Sequence, residues 1–211
     1  MTLHTVNNKY AHKVGAALVY LLLCALYFVP LPAPAKLCYP VAWLAVASLG
    51  NRTWWLTLAL CFSALGDLLG VKGELLAQIG AFGVAQVCYI IQLSRQSNLR
   101  TTATKSIVGA ALLPAILLAT ALIITLPQVG TTILKIGVVV YGATIGTMVF
   151  FACLSGSLLS KVGAVCFMFS DFVLAISLFT TPHPTAHLIY LPLYWLGQGL
   201  MWWGITLRGR K

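Results

Sequence analysis

Apolar residues run along the chain in long blocks, separated by short segments rich in proline, glycine and polar residues, such as PLPAPA, KGE and SRQSNLRTTATK. A helix needs ~20 predominantly apolar residues to cross a bilayer, and eight blocks approach that length. The pattern predicts an all-α, polytopic membrane bundle. Lys36 interrupts the second block, which is the weakest of the eight. We expect one integral membrane domain over residues 1–211, with transmembrane helices at approximately 13–29, 31–49, 54–71, 75–93, 106–125, 131–154, 158–179 and 187–207.

The composition supports the membrane class. Hydrophobic residues make up 60% of the chain and charged residues 8%, with a mean hydropathy of +0.96. Soluble domains carry roughly 25% charged residues, so this chain lacks the polar surface that a water-facing domain needs. The six cysteines all lie within apolar blocks and form no C-x-x-C pair. They are typical of small buried residues, and not of a disulfide framework or metal site.

The net charge of +10 raises the question of a nucleic-acid partner, which we do not expect. Lysine and arginine lie singly or in small groups at the ends of apolar blocks, where membrane topology places them. If eight helices alternate in direction, the side with both termini holds ten of the thirteen basic residues, and the other side holds Lys36, Lys72 and Lys135. Cytoplasmic loops carry the excess, so both termini are predicted to be cytoplasmic. The short loops favour a bacterial inner (plasma) membrane and also suit the endoplasmic reticulum.

Two of the chain's three acidic residues lie inside apolar blocks: Asp67 in the third and Asp171 in the seventh. Both helices run in the same direction, so the two carboxyls fall at comparable depth. An aspartate at the centre of a membrane helix costs ~2.5–3.5 kcal/mol to insert, and such residues usually face the bundle interior and serve function. A protonated aspartate that only packs against a neighbouring helix is the alternative. The similar segments CFSALGDLL and CFMFSDFVL suggest a four-plus-four duplication. Glu74 is interpreted as a solvated loop charge.

Several other polar residues are predicted at similar depth and are candidates for substrate binding. Lys36 can either extend to the membrane surface or point inward to a carboxylate or lipid phosphate. A single tyrosine or glutamine can equally serve as a helix–helix hydrogen bond. The full set of these candidates is Lys36, Gln86, Tyr89, Tyr141, Tyr194 and Gln198.

The sequence gives no reason to expect a metal or a cofactor. His183 and His187 have the spacing of a metal pair, but Pro184 lies between them in a predicted loop. G-x-S-x-G, H-E-x-x-H and a glycine-rich phosphate loop are all absent from the sequence. The chemistry is therefore expected to come from the two carboxyls. A medium of low dielectric disfavours charge, and two close carboxyls tend to share one proton. One acid and one carboxylate near neutrality is the pair that general acid–base catalysis needs, as in glycosidases.

Four motifs together resemble the YhhN-type membrane proteins, whose animal members are lysoplasmalogenases. They are SALGDLL in helix 3, G-A-F-x-x-A-Q-x-x-Y in helix 4, G-A-x-x-F-x-x-S-D-x-x-L-A in helix 7 and Y-x-x-G-Q in helix 8. Lys36 and Tyr141 also match that family, and the resemblance covers nearly the whole chain.

The resemblance implies a lysophospholipid substrate and hydrolysis of the vinyl-ether bond of a lysoplasmalogen. A fatty aldehyde and glycerophosphoethanolamine or glycerophosphocholine would be the products. We expect Asp67 and Asp171 to be the catalytic pair, with Lys36 at the phosphate. Two other classes remain open: a proton-coupled transporter or small-ligand sensor that uses the paired aspartates, and a scaffold protein, which would leave the aspartates unexplained.

Overall fold

The computed structural model describes residues 3–30, 33–50, 53–97, 99 and 102–208. Every regular element in these ranges is helical, as the apolar blocks predict. Short 3-10 helices at Pro34–Leu37 and Leu126–Gln128 precede the second and sixth α-helices. The eight α-helices are α1 (Leu3–Tyr27), α2 (Tyr39–Ser48), α3 (Trp54–Val71), α4 (Leu75–Ser94), α5 (Thr104–Thr125), α6 (Thr132–Leu154), α7 (Leu158–Phe179) and α8 (His187–Arg208).

Six of these helices are long and apolar enough to cross a membrane: α1 from Tyr10, and α3, α4, α5, α6 and α7. The chain is therefore an integral membrane protein. Helix α2 has 10 residues, which at 1.5 Å per residue gives about 15 Å, half of the ~30 Å hydrocarbon core. Helix α8 has 22 residues but is more polar, since it contains Gln198, His187 and Arg208. Eight crossings and cytoplasmic termini therefore stay predictions.

The first two helices differ most from the predicted bounds. Helix α1 begins ten residues before the predicted residue 13, because no proline or glycine interrupts the polar segment that precedes the apolar block. The second block forms the 3-10 helix and then the shorter α2, since prolines lack the N–H that a helix interior uses. Pro40 is tolerated because it lies in the first turn of α2. The predicted start of this block, residues 31 and 32, lies outside the described residues. The other six helices have bounds within two residues of those predicted.

The core is built mainly from side chains of α2, α3, α4, α6, α7 and α8, and α5 lies at the periphery. Fully buried side chains include Leu60 of α3, Tyr89 of α4, Phe167 of α7 and Trp202 of α8. By contrast, α5 buries only Ala110, Pro114 and Thr125 among its residues. Large apolar side chains such as Ile123, 75% exposed, cover its outer face. An apolar exterior is expected where the surrounding medium is lipid.

Two glycines allow α7 and α8 to pack closely. A Cβ at Gly163 of α7 would lie 2.8 Å from the carbonyl oxygen of Gly197 in α8, and a Cβ at Gly197 would lie 2.8 Å from that of Gly163. Only glycine permits this approach, as at many helix contacts in membranes. The contact holds α8 against α7 one turn from Tyr194, and it therefore fixes the position of a candidate site residue.

Candidate active site

A cavity of about 270 Å³ lies where α3, α4, α6, α7 and α8 converge. Short connections join α3 to α4 and α7 to α8, so the carboxyl ends of α3 and α7 meet the amino ends of α4 and α8. The cavity lies at this end of the bundle. Most of its wall is apolar, and its polar side chains are Asp67, Gln78, Tyr141, Ser170, Asp171, Tyr190 and Tyr194. Both intramembrane aspartates thus face one chamber, although they are distant in sequence.

Asp67 lies in the last turns of α3 and is 5% exposed. The hydroxyl of Tyr194, from α8, donates a hydrogen bond to its Oδ2 at 3.0 Å. The neighbouring Gly66 has no side chain, and a Cβ there would lie 2.7 Å from the ring of Phe82. The Phe82 ring therefore packs directly on α3 and forms an apolar wall beside the carboxyl.

Asp171 lies on α7 and is half-buried. The hydroxyl of Tyr141, from α6, donates a hydrogen bond to its Oδ2. The preceding residue, Ser170, donates from its hydroxyl to the carbonyl of Tyr190 in α8 at 2.7 Å. This bond ties α7 to α8 beside the carboxyl. Each aspartate is thus held by a tyrosine hydroxyl from another helix, which fixes its orientation toward the chamber.

Two glutamines lie behind these tyrosines. The carbonyl oxygen of Gln198 accepts a hydrogen bond from the Tyr89 hydroxyl at 2.5 Å, and the Gln198 side chain also contacts Tyr194. Gln86 contacts the side chain of Tyr141. Gln86, Tyr89 and Gln198 are each 0% exposed and absent from the cavity wall. They were predicted to be substrate-binding candidates at the depth of the carboxyls, but the structure places them one layer behind the surface that a substrate would touch.

Lys36 does not line the cavity, although the next residue, Leu37, does. Its ammonium donates to the carbonyl of Val29 at 2.7 Å and lies 5.5 Å from the centre of the Tyr27 ring. Val29 lies two residues after α1, so Lys36 holds the turn that follows this helix, and its ammonium contacts neither aspartate.

Sequence reasoning missed three polar residues of the wall: Gln78, Ser170 and Tyr190. Helical spacing could have found them. Gln78 lies about two turns before Gln86 on α4, and Tyr190 lies one turn before Tyr194 on α8, so each shares a face with a predicted residue. Ser170 directly precedes Asp171.

A second cavity, of about 500 Å³, lies between α1 and α8. It is larger, and its wall is formed almost entirely by apolar and aromatic side chains such as Leu21, Phe28, Trp195 and Trp203. None of the predicted site residues lines it. Its titratable side chains are Tyr20 and Cys24, and no carboxyl lines it, so the smaller chamber is the candidate active site.

The chamber contains two carboxyls, which are proton-transfer groups. In the described part of the chain, no group of three His, Cys, Asp or Glu side chains comes together that could hold a metal ion. His183 and His187 lie before and at the start of α8, where the ring of His183 contacts the Thr185 hydroxyl and the ring of His187 contacts the carbonyl of Pro184, each at 2.9 Å. The arrangement can therefore donate a proton from one carboxyl and accept one at the other.

These features define a polytopic helical membrane protein with two carboxyls in one internal chamber. The YhhN family model matches residues 20–205, and the chain belongs to the YhhN family. The matched range contains every predicted site residue. No curated protein and no solved structure matches the chain.

Proposed function

We propose that the protein is an intramembrane hydrolase that cleaves the vinyl-ether bond of lysoplasmalogens. The products are a fatty aldehyde and glycerophosphoethanolamine or glycerophosphocholine. One observation carries the proposal: Asp67 and Asp171, from separate helices, line the same largely apolar chamber. The resemblance to the lysoplasmalogenases supports the choice of substrate, and the carboxyl pair supplies the acid and the base that this reaction needs.

The reaction begins with proton transfer from one carboxyl to the second carbon of the vinyl group. The π electrons form the new C–H bond, and a lone pair of the ether oxygen forms an oxocarbenium ion. The carboxylate stabilises this cation, as in glycosidases, and takes a proton from the water that attacks it. The resulting hemiacetal collapses to the aldehyde: the protonated second carboxyl gives its proton to the departing glycerol oxygen, and the first carboxylate takes the proton of the hemiacetal hydroxyl, which restores both groups. No metal or covalent intermediate enters this sequence of steps.

The chamber wall has an apolar part and a polar part, and both suit such a substrate. Side chains such as Leu174, Ile79 and Phe82 give the alkenyl chain an apolar surface. Gln78 and Tyr190 on the same wall offer hydrogen bonds to the glycerol hydroxyl. Tyr194 and Tyr141 hold the carboxyls in position, which is the preorganisation that makes acid–base catalysis effective.

Replacing each aspartate by asparagine tests the proposal. Asp67→Asn and Asp171→Asn keep nearly the same shape but can neither donate nor accept the catalytic proton, so each should lose at least 100-fold in turnover. Aldehyde release from a purified lysoplasmalogen in detergent is the measurement. Glu74→Gln, which changes the chain's third acidic residue in an exposed loop, is the matched control and should keep full activity.

Thermal unfolding and elution from a sizing column separate a catalytic effect from a folding defect. Near-normal activity in both aspartate variants would reject the hydrolase mechanism. Proton-dependent uptake of a solute into liposomes, without aldehyde, would instead favour a transporter that uses the same two carboxyls.

A further inference from the structure

Two glycines of α3 each receive a side chain from α4. A Cβ at Gly66 would lie 2.7 Å from the ring of Phe82, and a Cβ at Gly70 would lie 2.5 Å from Nε2 of Gln78 and 2.8 Å from its Cδ. The two contacts are one helical turn apart on each of these antiparallel helices. Asp67 lies between the two glycines in sequence, so along the helix axis an aromatic ring lies on one side of this residue and an amide on the other.

The amide of Gln78 is available to a ligand in the chamber. Gln78 lines the chamber together with Asp67, Gly70 and Phe82, and it is half-buried. In the part of the chain that the structure describes, no side chain or carbonyl makes a hydrogen bond with this amide. A primary amide offers two N–H donors and one carbonyl oxygen. Such a polar group on a largely apolar wall fixes how a ligand is oriented.

The order of groups along the wall matches the order of groups in a lysoplasmalogen. Gly70 follows Asp67 by three residues, about 4.5 Å along the helix axis, in the direction of the α3–α4 connection. Gly66 and Phe82 lie on the opposite, deeper side of Asp67. In the lipid, the vinyl ether has the alkyl chain on one side and the glycerol on the other, with the central hydroxyl a few bonds away. A vinyl ether at Asp67 would therefore bring this hydroxyl to the Gln78 amide, with the chain beside Phe82.

We infer that Gln78, which packs on Gly70, binds the free central hydroxyl of the glycerol and so selects lysolipids over lipids with two chains. The inference rests on the proposed hydrolase function and assigns its selectivity. The hydroxyl can donate to the amide oxygen or accept from the amide nitrogen. A lipid that carries a second chain at this position has an ester there and no hydroxyl. Sites that hydrogen-bond a substrate hydroxyl discriminate against analogues that lack it, because the polar group of the site is then left unpaired.

Two substrates compared in each protein test this role. One is a lysoplasmalogen, and the other is its deoxy analogue, which lacks only the central hydroxyl. We expect wild-type kcat/KM to be about 2- to 12-fold higher for the lysoplasmalogen, the effect of a single hydrogen bond. Gln78→Met keeps the approximate side-chain volume and removes the amide, so it should lose this factor on the lysoplasmalogen alone. The ratio of the two kcat/KM values should then fall to about 1, whereas a structural defect would lower both values equally.

Gly70→Ala tests the same role without removing the amide. The new Cβ would lie too close to Nε2 of Gln78, and the flexible Gln78 side chain can turn away at little cost in stability. The ratio should therefore fall as in Gln78→Met, and this variant provides the readout if Gln78→Met does not fold. Gly80→Ala is the matched control, since a Cβ there meets no atom within 4 Å and Gly80 does not line the chamber. It should keep the wild-type ratio and rate.

A wild-type protein that cleaves both lipids equally well would overturn the role of Gln78. So would a wild-type ratio in Gln78→Met, or in Gly70→Ala if Gln78→Met does not fold. Both results leave the hydrolase intact, and a retained ratio would move the hydroxyl contact to another wall residue such as Tyr190. A wild-type protein that forms no aldehyde from either lipid would overturn the proposed function, and this inference with it.

Discussion

Each intramembrane carboxyl in this protein is paired with a tyrosine from a distant part of the chain. Tyr194 binds Asp67 at 3.0 Å, and Tyr141 binds Asp171. A tyrosine hydroxyl that donates to one carboxyl oxygen leaves the other oxygen of that carboxyl available to a substrate. The pairing therefore orients a reactive group and also satisfies it inside a medium where an unpaired carboxyl would be costly.

At the residue scale we expect Tyr194→Phe to reduce kcat by a factor of about 2 to 12, since a single hydrogen bond contributes about 0.5–1.5 kcal/mol. KM should change less, because the lost contact is to Asp67 and not to the substrate. Steady-state aldehyde release measures both constants.

Tyr20→Phe is the control for this variant. It removes a buried hydrogen bond, 2.5 Å long, from the Tyr20 hydroxyl to the carbonyl of Trp195, away from the chamber wall. It should lower the unfolding temperature but spare kcat, and equal losses of kcat would contradict the role given to Tyr194.

A site residue can be predicted from the sequence when its residue type is rare inside a membrane helix. An aspartate within an apolar block is conspicuous in the sequence, and both aspartates line the chamber. Tyrosine and glutamine are common at helix contacts, so depth alone could not separate Tyr194 on the wall from Gln198 behind it. That distinction depends on helix rotation, which tertiary packing sets. The partner of Lys36 was also open in the sequence, because a carbonyl such as that of Val29 leaves no sequence signal.

At the scale of elements, proline explains why the second block was predicted less well than the others. Long blocks with clear ends, such as α3 and α7, have the predicted bounds. In the second block Pro34 and Pro40 start a 3-10 helix and a 10-residue α-helix. Hydropathy records the apolar character of this block, but the lost N–H groups decide its helix length.

The contact between α7 and α8 gives the prediction at this scale. Gly197→Ala would bring a Cβ to 2.8 Å from the Gly163 carbonyl oxygen and 2.9 Å from the Phe167 nitrogen, so the two backbones must separate. We expect a loss of stability of about 1–3 kcal/mol, typical of overpacking. Activity should fall as well, because Tyr194 lies one turn away on α8.

Gly83→Ala is the control for this variant. A Cβ at Gly83 of α4 meets no atom within 4 Å, and alanine is the better helix former by about 1 kcal/mol. This variant should be as stable as the wild type or more so. Thermal unfolding in detergent compares the two, and a Gly197→Ala protein with wild-type stability would show that the helices are not in close contact there.

At the scale of the whole molecule, the two ends of the bundle differ in charge and in chemistry. By sequence, ten basic residues belong to the end that holds the termini and three to the opposite end. Of the ten, Arg52, Arg100, Arg210 and Lys211 lie outside the described residues. The carboxyl chamber lies at the end with fewer cations, since it is formed by the carboxyl ends of α3 and α7. The positive-inside rule then predicts that the chamber opens toward the non-cytoplasmic leaflet.

The side of the membrane on which the two termini lie decides the leaflet toward which the chamber opens. The ammonium of Lys13 in α1 donates to the carbonyl of Thr206 in α8 at 2.8 Å, so the amino-terminal part of α1 and the carboxyl-terminal part of α8 lie at the same end of the bundle. That arrangement requires an even number of crossings, which six spanning helices meet and which eight meet if the 3-10 helix and the short α2 together cross and α8 does. The distribution of basic residues predicts eight. We therefore expect a reporter that fluoresces only in the cytoplasm to give signal from either terminus, and a reporter in the 72–74 connection to give none. Signal from one terminus alone would mean that α2 or α8 does not cross, and signal from 72–74 would place the chamber at the cytoplasmic leaflet.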